Sequence, residues 1–316
     1  MTQSANRLAL GIVGLGKIAT DQHLAAIAAS REFTLAATAD PHAGLDAVAG
    51  YPDIGSMLAA HDAPKAVAVC TPPQHRYRLA RCALEHGCHV LLEKPPGTTV
   101  GEVEALTRLA AASGLTLFCA WHSQFAAAVE SAREYLAARR IRAVRIEWRE
   151  DVRVWHPGQT WIWRPGGFGV FDPGINALSI AVRILPQPFF LTDALLHFPE
   201  NCQTPIAAEL EFLDAHNTVI EATFDFLQTG AQIWNITVET DAGTLVLSRG
   251  GTRLAIDDAE KPLEPQDEYP ALYAHFASLI RSARSDANLA PLRLVADALL
   301  RGRRVSAPPF RDPAAR

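Results

Sequence analysis

One short turn constrains this chain more than any other feature. In "GIVGLGKIA", residues 11–19, Gly14 and Gly16 close an apolar run (residues 9–13) and open a helical pattern (residues 18–29). A strand that passes into a helix through so few residues is a βα unit. The small residues have separate jobs: one for the tight turn, one so that backbone N–H groups can approach an anion, and Ala19 for close helix–strand packing. Alone this pattern is weak, because many strand–helix turns contain two glycines. Its surroundings strengthen it. Short apolar runs at residues 34–39, 66–70, 89–92 and 116–119 alternate with helical patterns at 75–85 and 101–112. Alternation of this kind predicts a parallel, doubly wound α/β sheet.

After about residue 125 the pattern changes. A helix (126–139) leads into a strand (143–150), then a Trp/Pro/Gly-rich loop (152–169) and a helix over 171–184. Strand-like runs follow at 189–197, 207–212, 219–226, 234–240, 244–247 and 253–256. Short turns such as "DAHN" and "DAG" join them, which predicts a large antiparallel sheet. Helices at 271–281 and 291–300 close the chain. With 316 residues, two domains are expected: a Rossmann domain over 1–122 and an α/β domain over 123–316.

Several function classes are set aside by composition. The net charge is −5 with no basic stripe, unlike a nucleic-acid binder. No window approaches the roughly 20 apolar residues of a membrane span, and the first residues lack a signal-peptide core, so a cytoplasmic protein is expected. The five cysteines form no C-x-x-C pair, and no H-x-x-x-H pair encloses a Glu, so no metal site is expected.

The glycine turn gains meaning from Asp40, which ends the second strand in "LAATADPH". A carboxylate there accepts hydrogen bonds from the ribose hydroxyls of NAD and repels the 2′-phosphate of NADP. Residues 41–45 offer no Arg or Lys to receive that phosphate. NAD is therefore expected, with NADP less favoured; a helix N-cap is the structural alternative for Asp40. In "HVLLEKPPG", Glu93 and Lys94 end an apolar strand and two prolines restrict the backbone at once. Past the carboxyl end of a Rossmann strand, Lys94 faces the dinucleotide crevice; elsewhere the pair reads as a solvated turn.

A second group lies in "RPGGFGVFDPGIN". Gly166, Gly167 and Gly169 read as a flexible approach to a helix, with Asp172 in its first turn and Asn176 one turn on, sharing a face. Asp172 alone would also serve the helix dipole. Upstream, "WREDVRVWHPGQTWIW" gathers Trp148, Trp155, Trp161 and Trp163 with Glu150, Asp151 and His156. Aromatic faces beside carboxylates and an imidazole suit a sugar, although tryptophans usually fill cores. Only one or two of Trp148, Trp155, Trp161, Trp163 and the later Trp234 are expected to touch ligand.

The glycine turn, "EKP", and "GG…D" before a helix, in that order, resemble the glucose–fructose oxidoreductase/inositol dehydrogenase (Gfo/Idh/MocA) family over essentially the whole chain. "WHS" at 121–123, "WHPGQTWIW" and "FGVFDPGINALSI" look like its bacterial L-arabinose/D-galactose 1-dehydrogenase branch. The resemblance implies a Rossmann domain followed by a domain with an open antiparallel sheet that serves a homodimer. It implies Lys94 and Asp172 as catalytic. The cofactor set it suggests is Gly14, Gly16, Lys17, Ile18, Asp40, Thr71, Pro72, Glu93 and Lys94. Around the sugar it places His122, Glu150, Trp155, Asn176 and Trp234 with Lys94 and Asp172. Two positions depart from the wider family: Asn176 stands where a His base is common, and "TPPQHR" puts Arg76 where a His is usual.

What the resemblance implies chemically is oxidation of an aldopyranose at C1 to a 1,5-lactone. Asn176 cannot take the proton, so Asp172 is the preferred base with Lys94 donating to the reacting oxygen, and a neutral Lys94 base stays open. The alternatives are an NAD(P)-dependent sensor of the same fold, or a dehydrogenase for another sugar or a cyclitol.

Overall fold

Unbroken apolar runs need cover on both faces, and the first half of the chain meets that need with parallel strands. The computed structural model describes residues 7–312. Its strands are β1 (Leu8–Val13), β2 (Phe33–Ala39), β3 (Ala49–Tyr51), β4 (Ala66–Val69), β5 (His89–Glu93), β6 (Leu117–Ala120), β7 (Ile141–Arg149), β8 (Phe189–Pro199), β9 (Ala207–Asp214), β10 (Val219–Asp225), β11 (Ile233–Thr240), β12 (Gly243–Ser248), β13 (Arg253–Ile256), β14 (Ala259–Glu260) and β15 (Arg303–Ala307). Its helices are α1 (Leu24–Ala29), α2 (Ile54–Leu58), α3 (Pro73–Glu85), α4 (Val100–Ala112), α5 (Val129–Leu136), α6 (Val152–Trp155), α7 (Phe171–Ile184), α8 (Glu268–Arg281) and α9 (Ala290–Arg301). A π-helical turn, Ala19–His23, runs into α1. Among the described residues no helix is long and apolar enough to cross a membrane.

β1 to β6 form one parallel sheet in the order β3-β2-β1-β4-β5-β6. The order reverses between β1 and β4, which is the switch point where such sheets take a dinucleotide. Val67, Val69, Val90, Leu92 and Leu117 from the strands bury against Met57, Ala83, Leu84 and Leu106 from the helices. α3 starts on Pro73, where a missing N–H costs nothing. α4 starts on a reciprocal capping box between Thr99 and Glu102.

The first compact unit holds the chain up to His122 together with Asp267–Leu289. Helix α8, assigned to the second domain by the sequence boundary, thus belongs with the first. Its Tyr269, Tyr273 and Phe276 are buried, and their rings pack on His23, Phe33 and Phe118.

The second unit, Ser123–Gln266 with the chain from Ala290 onward, carries a sheet in the order β14-β13-β12-β11-β7-β10-β9-β8-β15. It is mixed rather than purely antiparallel: β7 pairs with β10 and β8 with β15 in parallel. Strands joined by a hairpin must run antiparallel, whereas β15 returns after a helix and can re-enter parallel. Side chains alternate buried and exposed along β9 and β10, with α5, α7 and α9 packed against the sheet. α7 is buried on almost every side, from Phe171 to Ile184.

Candidate active site

The glycine turn holds β1 against β4. Gly14 has φ +90°, and a Cβ on it would meet Thr71 Cγ2 at 2.8 Å and Thr71 N at 2.9 Å, so only glycine fits. Beside Gly16 the space is open, with nothing within 4 Å of where a Cβ would stand. Asp40 braces this turn: its Oδ2 accepts the Leu15 N–H at 2.8 Å, and its Oδ1 accepts those of His42 (2.8 Å) and Ala43 (3.0 Å). Partial burial would raise its pKa, but these backbone donors outweigh that and hold it below the usual carboxylate range. No helix follows Asp40, so it caps a turn rather than a helix. Three of its roughly four acceptor sites are used, which leaves about one for a ribose hydroxyl.

These features fit a nicotinamide dinucleotide. An open space lies beside Gly16, an ionised carboxylate stands at the end of β2, and Thr71 Oγ1 is shielded without a hydrogen-bond partner at the end of β4. Pro72 caps α3 beside it. Lys17 pairs with Asp21 one turn on, so its backbone, like that of Ile18, is the part that can face the cofactor.

Lys94 is gripped through its backbone. Glu93 Oε2 accepts the Lys94 N–H at 2.7 Å, and the Lys94–Pro95 bond is cis. Glu93 Oε1 accepts the Tyr269 hydroxyl at 2.6 Å and lies 3.2 Å from His23 Nε2. His23 Nδ1 meets the Tyr273 hydroxyl at 2.7 Å. Burial favours the neutral acid, but hydrogen bonding and charge from His23, with His122 and Arg76, bring the Glu93 pKa down to about 2. Burial works against charge on His23 too, yet Cys70, Tyr273 and the bond to Glu93 raise its pKa well above the ordinary value. The result is a buried ion pair behind Lys94. Arg76, nearly fully buried, donates Nε–H to the Thr71 carbonyl at 2.7 Å and NH1 to the carbonyls of Glu93 and Pro95. One guanidinium therefore ties the β4 end to both sides of Lys94. His122 stacks on Tyr269 with ring centroids 5.4 Å apart and pairs with Glu268 of α8.

The second unit gathers Glu150, Asp172, Trp155 and Trp234. Glu150 and Asp172 are each only 3% exposed. Trp234 Nε1–H donates to Glu150 Oε2 at 2.9 Å, and its ring lies between Trp148 (5.9 Å) and Trp155 (4.9 Å). Trp148 is buried while Trp155 is open, so Trp155 and Trp234 form the accessible aromatic wall. Trp163 packs on Phe226 and Phe310. Asn176 is half-buried one turn past Asp172. The glycines before α7 are tight rather than flexible. A Cβ at Gly167 would stand 2.3 Å from the Ile162 carbonyl, and one at Gly169, φ +53°, would stand 2.2 Å from the Pro205 carbonyl. They press the loop onto its neighbours and fix the start of α7.

His23 escapes the sequence reading altogether, while Arg76 and His156 stand out there without a place among the expected site residues. His156 Nε2 lies 3.3 Å from Glu150 Oε1 and its Nδ1 lies 3.8 Å from Asp172 Oδ2. The loop containing His156 stands out in the sequence, but nothing there links it to Asp172.

Residues 8–120 match the model of the Gfo/Idh/MocA oxidoreductase family with its NAD-binding Rossmann fold. The chain is 44% identical to galactose 1-dehydrogenase of Pseudomonas fluorescens over 303 residues, 96% of this chain and 98% of that protein. It superposes on the crystal structure of D-galactose-1-dehydrogenase from Rhizobium etli with a TM-score of 0.94 at 50% identity, covering 98% and 100% of the two chains. A 3-ketoreductase from Actinomadura kijaniata shares the fold at 19% identity, with a TM-score of 0.83 over 96% of this chain and 100% of that one. The chain belongs to the Gfo/Idh/MocA oxidoreductase family, whose first domain is an NAD-binding Rossmann fold, and within it is similar to galactose 1-dehydrogenases.

Proposed function

We propose that this protein oxidises D-galactose and/or L-arabinose, as the pyranose, at C1 to the 1,5-lactone, with NAD preferred over NADP. The observation that carries this reading is the pair of buried carboxylates, Glu150 and Asp172, beside the Trp155–Trp234 wall. Its chemistry suits a sugar: aromatic faces stack on C–H surfaces, and a buried carboxylate accepts strong hydrogen bonds from hydroxyls. The similarity to galactose 1-dehydrogenases supports the same carbon.

A nicotinamide dinucleotide held by the glycine turn and Asp40 would supply the acceptor for the hydride that leaves C1. The chain's own residues handle the proton and the orientation. Asp172 takes the O1–H proton, and Lys94 donates to the same oxygen while negative charge develops on it. Glu150, His122 and Asn176 hold ring hydroxyls, and Trp155 with Trp234 stacks on the apolar face. Gly14, Gly16, Lys17, Ile18, Asp40, Thr71, Pro72 and Glu93 complete the cofactor side. D-Galactose and L-arabinose share configuration at C2 to C4 and differ by the hydroxymethyl at C5, so both are expected to react. A homodimer through the second sheet is part of the proposal. It is supported by the row Phe190, Leu213, Val219 and Ala143, which crosses four strands and includes the exposed Phe190 and Val219.

The test is initial rates with D-galactose, L-arabinose, D-xylose, D-glucose and myo-inositol, each with NAD and NADP, for wild type, Lys94→Ala and Asp172→Ala. Turnover of galactose and arabinose with NAD, abolished in both variants, is expected. Tight NAD binding without turnover of any sugar rejects the enzyme reading.

A further inference from the structure

We propose that His156 is a positioning residue that receives the proton Asp172 takes from the sugar; the proposal rests on the C1 oxidation argued above. The helix position one turn past Asp172 holds Asn176, an amide that cannot hold a proton at neutral pH. An imidazole nevertheless reaches Asp172, from the loop after β7 rather than from α7. His156 Nε2 stands 3.3 Å from Glu150 Oε1 and Nδ1 stands 3.8 Å from Asp172 Oδ2, so one ring spans two buried carboxylates.

The ring is held in this place. His156 N–H donates to the Val152 carbonyl at 2.8 Å, closing α6, and the Phe226 ring lies against the imidazole at 5.6 Å. Glu150 and Asp172 are the charged groups at its two nitrogens. On its own helix Asp151 is bound by Arg153, and Asp312 accepts the Gly158 N–H. Glu150 selects the tautomer with the proton on Nε2, leaving the Nδ1 lone pair toward Asp172. The 3.8 Å gap is about 1 Å beyond a hydrogen bond, and such catalytic contacts are often long without substrate and tighten with it.

The step moves one proton and no electrons. The Asp172 O–H bond formed during oxidation breaks, an Nδ1–H bond forms on His156, and Glu150 balances the imidazolium. Exposure gives the transfer a direction: the His156 side chain is 17% exposed, against 4% for both carboxylates, so the proton moves from a buried group to one that meets water. Asp172 is left ionised for the next turnover.

The experiment compares wild type, His156→Ala and His156→Gln in kcat and KM for D-galactose with NAD across pH. Thermal melts show that the variants are folded. The expected result is a fall in kcat of about 100-fold or more, the usual contribution of a placed proton carrier, with KM changed far less. The acid limb of kcat is expected to move to lower pH, because the groups left are carboxylates, and added imidazole is expected to restore part of the activity of His156→Ala. A folded variant with the wild-type pH profile and no rescue overturns the proposal while leaving the C1 oxidation standing. Wild type without turnover of any sugar overturns both.

Discussion

Glu93→Gln removes one charge from behind Lys94 while keeping the side chain's shape. Glu93 is 1% exposed, and its two oxygens serve Tyr269, His23 and the Lys94 N–H. Its pKa falls from 4.5 to about 2 on folding, a difference worth about 3 kcal/mol at 1.36 kcal/mol per unit. A second route gives a similar size, since deleting one partner of a buried ion pair costs about 3–5 kcal/mol. An amide also brings an NH₂ to a position that faces only donors, so one hydrogen bond becomes a conflict. The expected loss is about 3 kcal/mol, or roughly 6–12 °C in Tm for a domain of this class. Its pH dependence is specific. The folded pKa of Glu93 lies below the unfolded one, so its stabilisation is complete above about pH 4.5 and fades as pH falls toward 2. The folded pKa of His23 lies well above the ordinary histidine value of about 6.5, so its share is complete below that pH and is lost as pH rises through the raised value. The gap between wild type and variant is therefore widest between about 4.5 and 6.5. Calorimetry at several pH values measures it. A gap below about 1 kcal/mol, or one that stays constant down to about pH 3, would refute a charged Glu93–His23 pair.

Three further substitutions separate stability from cofactor and catalytic effects. Gly169→Ala puts a Cβ 2.2 Å from the Pro205 carbonyl at φ +53°; it should cost at least about 2 kcal/mol in urea unfolding. Gly16→Ala meets nothing within 4 Å, so stability should stay within about 0.5 kcal/mol, yet NAD affinity, read by fluorescence titration, should fall about tenfold if the pyrophosphate lies against that turn. Arg76→Lys keeps the charge and loses the fork that serves the Thr71, Glu93 and Pro95 carbonyls. It should cost about 1–3 kcal/mol and lower kcat more than it raises KM for NAD, as steady-state rates at several NAD concentrations will show.

The Rossmann half is legible in the sequence because its strands are covered on both faces and read as unbroken apolar runs. β3 and α2 escape because a three-residue strand and a five-residue helix carry no period. α8 is visible as a helix, and Tyr269, Tyr273 and Phe276 mark its buried stripe, but a stripe does not say which core it enters. The mixed pairing of the second sheet is hidden for a similar reason: alternation gives the face, not the neighbour. At the site, the residues that would meet ligands stand in recognisable motifs, whereas their supports do not. Arg76 acts on backbone carbonyls, which have no sequence signature. His23 lies in an apolar helical stretch as a core histidine would, and only Glu93 and Tyr273 at its two nitrogens give it a role.

The acids near the site divide by what already holds them. Asp40 is fixed as an anion by three backbone N–H groups, and Glu93 by His23, Tyr269 and Lys94 N–H with its pKa at about 2. A carboxylate held that low has little tendency to take a proton from a hydroxyl. Asp172 and Glu150 lie beside an imidazole, the side chain that ordinarily exchanges protons near neutral pH, and Glu150 also accepts the Trp234 N–H. In the proposed mechanism Asp172 is the base and Lys94 the donor. Asp172→Asn tests the assignment, because it preserves shape and removes the acceptor. If Asp172 takes the proton, kcat should fall by about 10²- to 10⁴-fold and its acid limb should vanish, since the carboxylate that acid switches off is gone and His156 then has no proton to receive from it. If Lys94 is the base, the same variant should keep the limb, because a lysine must still lose its proton before it can act. The pH profile of whatever activity remains therefore decides between the two, even where the size of the loss does not.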